Sequence, residues 1–147
     1  MQYIDIGKRE GAKLLTGGGK AGSEGYFIQP TIFGDVTDSM TIANEEIFGP
    51  VLVVSTFSDE NEAIDAANGT EFGLAAVVVS GNRAHADKIT KDLVAGTIWV
   101  NCFFVRDLRA PFGGSKKSGI GREGGNWSFD FYADVKNTVV SPNGWKE

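Results

Sequence analysis

Apolar residues change their spacing along this chain, and the changes mark its elements. Over residues 2–15, Tyr3, Ile6, Ala12 and Leu15 recur at about helical intervals, predicting a helix that Gly7 and Gly11 weaken. A glycine-rich break follows at 16–25. Residues 26–33 are extended in character, with Pro30 placing them at an edge or a break. Residues 34–38 read as a turn and 39–46 as a short helix. Pro50 must end that helix, because proline disfavours helical backbone in the residue before it.

Beyond Pro50 the pattern becomes regular. Residues 51–57 form a β-branched apolar run. Asp59 can cap a helix with Glu62 three residues on, Ala63, Ile64 and Ala67 forming its apolar side and Gly69 its stop. Residues 74–80 are a second apolar run. Asn82 opens a helix with Ala86, Ile89 and Leu93 on one side, and residues 97–101 give a third strand. Unalternating strands separated by helices predict the α/β class, with a mainly parallel sheet covered on both faces and right-handed crossovers. After an aromatic amphipathic stretch at 126–132, residues 134–140 read as a last strand. A late edge strand calls for a partner, here one from another subunit.

Composition narrows the functions. The 147 residues can bury a real core, and 41% hydrophobic with 22% charged is an ordinary globular balance. Lys and Arg number 14 against 19 Asp and Glu, a net charge of −5 without a basic run, which argues against nucleic acid or an anionic membrane as partner. No apolar run is long enough to span a bilayer. One cysteine excludes an intrachain disulfide and a cysteine-rich zinc site, and no metal site is expected. The first ten residues carry neither a basic leader nor an apolar signal core, so the expected location is cytoplasmic.

The stretch with most chemical character follows the strand at 97–101. Arg106, Asp107 and Arg109 stand among Phe103, Phe104 and Phe112, and glycines at 113, 114, 119, 121, 124 and 125 permit close backbone approach. The arginines can form a local surface ion pair with Asp107, or can await an external carboxylate gripped by parallel hydrogen bonds. The residues leave both readings open. Cys102 reads as a small packing residue rather than a nucleophile, and His85 as solvated surface. Glu45 and Glu46 read as helix-end carboxylates, Phe48 as core, and Glu123 as a partner of Arg122 or a nearby lysine. Two glycine patterns mislead: the run before Lys20 lacks phosphate-loop spacing, and residues 119–124 lie outside any strand–helix unit that would make them a dinucleotide fingerprint. No complete catalytic set is present.

EEIFGP at 45–50, FGLAA at 72–76, GTIWVN at 96–101, PFGG at 111–114 and SGIGREGG at 118–125 stand in the order and spacing of the aldehyde dehydrogenase superfamily. Over nearly its whole length the chain resembles the carboxy-terminal third of such an enzyme. The resemblance implies a three-layer catalytic-domain sheet over residues 1–133 and an oligomerisation strand and tail at 134–147, joining a homodimer or homotetramer. It implies that the nucleophilic cysteine, the general-base glutamate and the Rossmann-type domain lie upstream of Met1. The implied reaction oxidises an aldehyde to an acid through a cysteine thiohemiacetal and thioester, with NAD or NADP as cofactor.

Carried over by position, Glu46 resembles the glutamate that holds the nicotinamide-side ribose, Phe48 the aromatic against the nicotinamide, and Leu74 a lining of the same pocket. Glu123 resembles a carboxylate of the proton-relay path. Asn101, Cys102, Arg106 and Phe112 fall where relatives place substrate-tunnel residues. RDLR before PFGG is similar to the 2-hydroxymuconic and 2-aminomuconic semialdehyde dehydrogenases of aromatic and tryptophan breakdown, whose substrates carry a carboxylate. That likeness implies Arg106 as the carboxylate ligand and Arg109 as its structural support. SFDFY at 128–132 is similar to a carboxymethyl-hydroxymuconic semialdehyde enzyme. A general or betaine-type aldehyde dehydrogenase is the alternative, and a catalytically silent assembly or binding module is the reading for these 147 residues alone.

Overall fold

The computed structural model describes residues 1–144. Helix α1 (Gln2–Arg9) ends sooner than the apolar spacing predicts: Gly11 turns at φ +93°, and the chain continues as strand β1 (Lys13–Thr16). Leu14 and Leu15 therefore belong to a ladder, because sheet pairing overrides their helical spacing. Of the extended segment before Gly34, only β2 (Thr31–Gly34) is strand. It lies at the centre of a three-stranded sheet, antiparallel to β1, after which come α2 (Thr41–Asn44) and the parallel β3 (Val51–Val53).

This sheet carries the main core. Phe33 is 0% exposed and packs with Ile4, Ala12, Val36 and Ile42, so α1 and α2 bury their apolar sides on β2. Buried Thr31 satisfies its hydroxyl by accepting from Gly18 N at 2.9 Å and donating to Gln29 O at 2.8 Å. The Glu10 carboxylate accepts from Thr41 N and Thr41 Oγ1 at 2.8 and 2.5 Å, joining the end of α1 to the start of α2.

Helix α3 (Glu60–Asn68) is capped as expected, Asp59 accepting from Asn61 N at 2.7 Å. Glu62 reaches back to Ser58 N instead of closing a box on Asp59, and Gly69 ends the helix in right-handed backbone. Next come β4 (Phe72–Gly73), β5 (Ala75–Val78), α4 (Arg83–Asp92), β6 (Thr97–Val100), β7 (Ser115–Lys116) and α5 (Trp127–Tyr132). Asn82 caps α4 by accepting from His85 N at 3.1 Å. Strand β5 runs parallel to β6, while β4 pairs antiparallel with β7.

Two features depart from the expected uniform sheet. The ladders are mixed, and the strand faces are not all covered, Val77 and Val79 of the second apolar run being exposed. Residues 134–140 form no strand within this chain, and Val135 and Val139 stand in solvent. An isolated strand has nothing to satisfy its ladder groups, so a last strand here requires a neighbour.

Candidate functional site

Strand β6 ends where the chemistry begins. Asn101 takes left-handed backbone at φ +52°, and its side-chain amide bonds across to β5, accepting from Ser80 N at 2.9 Å and donating to Ser80 O at 2.7 Å. Those bonds extend the β5–β6 ladder by one side chain and turn the following residues away from the sheet. Trp99 anchors them: its indole N–H donates to Val105 O at 2.8 Å, and its ring centroid lies 5.5 Å from Phe103 and 6.1 Å from Phe104. Cys102 is exposed, which corrects its reading as a packing residue.

The three arginines of the following loop do different work. Arg109 grips Asp107 through Nε and Nη2, the latter at 2.6 Å, and holds that carboxyl below the usual carboxylate range. Arg122 spends its guanidinium on the loop itself, donating from Nη1 to Gly114 O and Gly121 O and from Nη2 to Ser115 Oγ. Arg106 makes no hydrogen bond among the described residues. Its side chain is 30% exposed, its Cζ lies 3.9 Å from the Phe112 ring centroid, and its Nη2 lies 3.8 Å from Glu123 Oε1. Glu123 thus pairs with Arg106, not with Arg122 or a lysine.

Backbone pairing sets this cluster. Phe112 N donates to Glu123 O at 2.7 Å and Glu123 N to Phe112 O at 2.8 Å, an isolated antiparallel bridge. Residues opposed in such a pair project their side chains to one face, so the phenyl ring and the carboxylate lie side by side. Close packing holds the loop down. Gly96 faces the Gly113 carbonyl with no room for a Cβ, and Ser118 Oγ accepts from Gly73 N at 2.9 Å.

Two clefts meet here. One, of about 330 Å³, is bordered by Glu45, Glu46, Leu74 and Ser118; the other, of about 230 Å³, by Leu74, Phe112, Arg122 and Glu123. Leu74 and Ser118 are common to both. Tyr3 OH donates to Glu45 Oε2 at 2.8 Å, and that bond raises the tyrosine pKa above its usual 10.0. Glu46 has no partner among the described residues. Phe48, expected in the core, is 90% exposed with φ +50°, so its ring is free to stack on something. Phe48, Asn101, Cys102 and Arg106 border neither cleft, Arg106 lying beside the smaller one through its contacts with Phe112 and Glu123.

Sequence reasoning missed Arg122 and Ser118 as organisers. The signal for Arg122 was present: a cation set among glycines can reach several carbonyls at once. His85, read as solvated, is half-exposed but bound to Glu60, which Lys88 also contacts at 3.0 Å. Among the described residues no group of three or more His, Cys, Asp or Glu is placed to hold a metal ion. No helix among them is long and apolar enough to cross a membrane.

Fold and clefts together define an α/β domain with a two-part site, one part acidic and one flanked by an unsatisfied arginine. The Aldehyde dehydrogenase family model matches residues 1–138, and the chain belongs to that family. It is 51% identical over 138 residues to the human mitochondrial aldehyde dehydrogenase, covering 94% of this chain and 27% of that protein. It is 49% identical over 144 residues to the betaine aldehyde dehydrogenase of Agrobacterium fabrum, covering 96% and 29%. The NAD+ complex of a Bacillus cereus aldehyde dehydrogenase superposes with a TM-score of 0.90 at 46% identity, covering 97% of this chain and 29% of that one. The fold class is thereby that of the aldehyde dehydrogenases. The chain spans less than a third of the length of these relatives.

Proposed function

We propose that this chain forms the carboxy-terminal part of the catalytic domain of an NAD(P)-dependent aldehyde dehydrogenase whose substrate is a carboxylated semialdehyde of the muconic type. The observation that carries the substrate class is the state of the three loop arginines. Arg109 and Arg122 are each hydrogen-bonded to protein groups, whereas Arg106 makes no hydrogen bond among the described residues and rests on an aromatic ring. A guanidinium in that position suits an external carboxylate. A substrate without a carboxylate would give Arg106 no such partner.

The residues fit a nicotinamide cofactor. Glu46 offers unpaired acceptor oxygens in the larger cleft for ribose hydroxyls, Leu74 supplies apolar wall, and the exposed Phe48 ring offers a flat face for an aromatic ring. When bound, that cofactor takes up the hydride of the aldehyde. That Leu74 borders both clefts supports a cofactor half beside a substrate half. Phe112 positions Arg106, Arg109 braces the loop through Asp107, and Glu123 stands where the relay carboxylate of relatives is implied. Asn101 shapes the loop through Ser80, leaving Cys102 at its open edge. Residues 134–140 would complete a sheet with a second subunit in a cytoplasmic homodimer or homotetramer.

A chimera tests the substrate class. The matching segment of the Bacillus cereus enzyme is replaced by this chain, and kcat/KM is measured for acidic and neutral aldehydes. Arg106→Gln is expected to cost about 2–5 kcal/mol for acidic substrates, as for losing one partner of a semi-buried charge pair, and little for neutral ones. Equal losses on both would overturn the reading. The exposed Phe57, Phe129 and Val79 favour a second reading for the chain alone, a module that buries these faces on more protein. The isolated chain is then expected to form no NADH from any aldehyde. Activity abolished by Cys102→Ser would show instead that Cys102 is a nucleophile.

A further inference from the structure

We infer that Glu123 sets the specificity of the Arg106 site, acting as a built-in carboxylate that a substrate carboxylate must displace; the inference rests on the reading of Arg106 above. Three observations carry it. The Phe112–Glu123 bridge exchanges both backbone hydrogen bonds, which fixes the Glu123 backbone beside the ring on which Arg106 rests and leaves only its side chain free to turn. The Arg106 Nη2 to Glu123 Oε1 separation is 3.8 Å, near enough for charge attraction and too long for a hydrogen bond. The Glu123 side chain is half exposed and has no other partner among the described residues, so it can swing away when a better-placed anion arrives.

The consequences follow from charge. With Arg106 empty, Glu123 offsets a guanidinium that would otherwise stand half-buried and unpaired. With an anion on Arg106, the same carboxylate repels it across a few ångströms. Glu123 therefore weakens every carboxylate ligand while leaving uncharged ligands almost untouched, and it penalises weakly held anions most. A substrate able to grip Arg106 by two parallel hydrogen bonds overcomes it, whereas a small anion with one contact does not.

The test uses the 147-residue chain and trans,trans-muconate as a stable carboxylate probe, with benzamide as uncharged control. Binding is read by isothermal titration calorimetry, which serves the wild type and every variant alike. Removing a unit charge 3.8 Å away at a half-exposed site is expected to tighten muconate binding about threefold to tenfold in Glu123→Gln, an effect that shrinks as salt is raised. Benzamide binding should not change. Glu123→Asp, which keeps the charge on a shorter arm, should fall between wild type and Glu123→Gln, and it serves if the glutamine variant disturbs the loop. If Arg106→Gln abolishes muconate binding while neither Glu123 variant strengthens it, the role given to Glu123 is wrong and Arg106 remains the anion ligand. If Arg106→Gln leaves muconate binding intact, the Arg106 reading itself fails and takes this inference with it.

Discussion

The Arg106 guanidinium carbon lies 3.9 Å from the centroid of the Phe112 ring, so the cation rests on a π face while its nearest carboxylate, Glu123, stays beyond hydrogen-bond distance at 3.8 Å. An aromatic face attracts the charge yet leaves the planar N–H donors pointing outward, which hydrogen bonds to a protein carboxylate would consume. Phe112→Leu keeps the apolar bulk and removes the π face. It should weaken binding of a carboxylate probe by about 0.5–2 kcal/mol while thermal stability of the chain changes little. Unchanged affinity in a titration would mean that Phe112 only fills space.

Asn101 carries a structural load that its place at a strand end conceals. Its amide makes two hydrogen bonds to Ser80, and its backbone sits at φ +52°, where asparagine is better tolerated than most residues. Asn101→Ala loses both bonds and keeps the unfavourable backbone, for an expected loss of about 2–4 kcal/mol. Asn101→Gly relieves the backbone and loses only the bonds, so it should be the milder change. Urea unfolding of the two variants decides this, and the reverse order would remove the backbone argument.

Sequence pattern was a good guide wherever local chemistry decides the outcome. Asp59 and Asn82 cap helices as their side chains dictate, and Ala86, Ile64 and Trp99 are buried as their spacing implies. It failed at Leu14 and Leu15, where pairing with β2 outweighs helical spacing, and at Phe48, an aromatic that local pattern puts inside and the fold puts outside. The covered faces predicted for 74–80 are not found, Val77 and Val79 being exposed. In the site, the motif order pointed to Glu46, Leu74, Phe112 and Glu123. The distinction among Arg106, Arg109 and Arg122 was not legible, because it turns on which carbonyls and carboxylates the folded loop delivers to each guanidinium.

Core packing gives the plainest stability prediction. Phe33 is 0% exposed between α1, α2 and the two flanking strands. Phe33→Ala should cost about 3–5 kcal/mol, enough to unfold much of a marginal domain at room temperature. Gly7 lies against the same ring, so collapse into the void is limited on that side.

The Glu60 cluster makes stability depend on acidity in a definite direction. The Glu60 carboxyl is lowered from its usual 4.5, first by its hydrogen bond to His85 and next by that to Lys88. A carboxyl depressed in the folded state binds protons more readily when unfolded, so its contribution is present above pH 4.5 and is lost as pH falls through the folded value. Lys88 is raised from 10.5, chiefly by its hydrogen bond to Glu60, so its share is present below pH 10.5 and is lost above it. In Glu60→Gln both slopes should flatten together, because one carboxylate causes both shifts. Urea midpoints measured from pH 3 to 11 give the answer. An acid slope that survives the substitution would assign acid sensitivity to other carboxylates, whereas loss of the acid slope with the alkaline one intact would mean that Lys88 draws its shift from Asp92 and Asp59, its weaker neighbours.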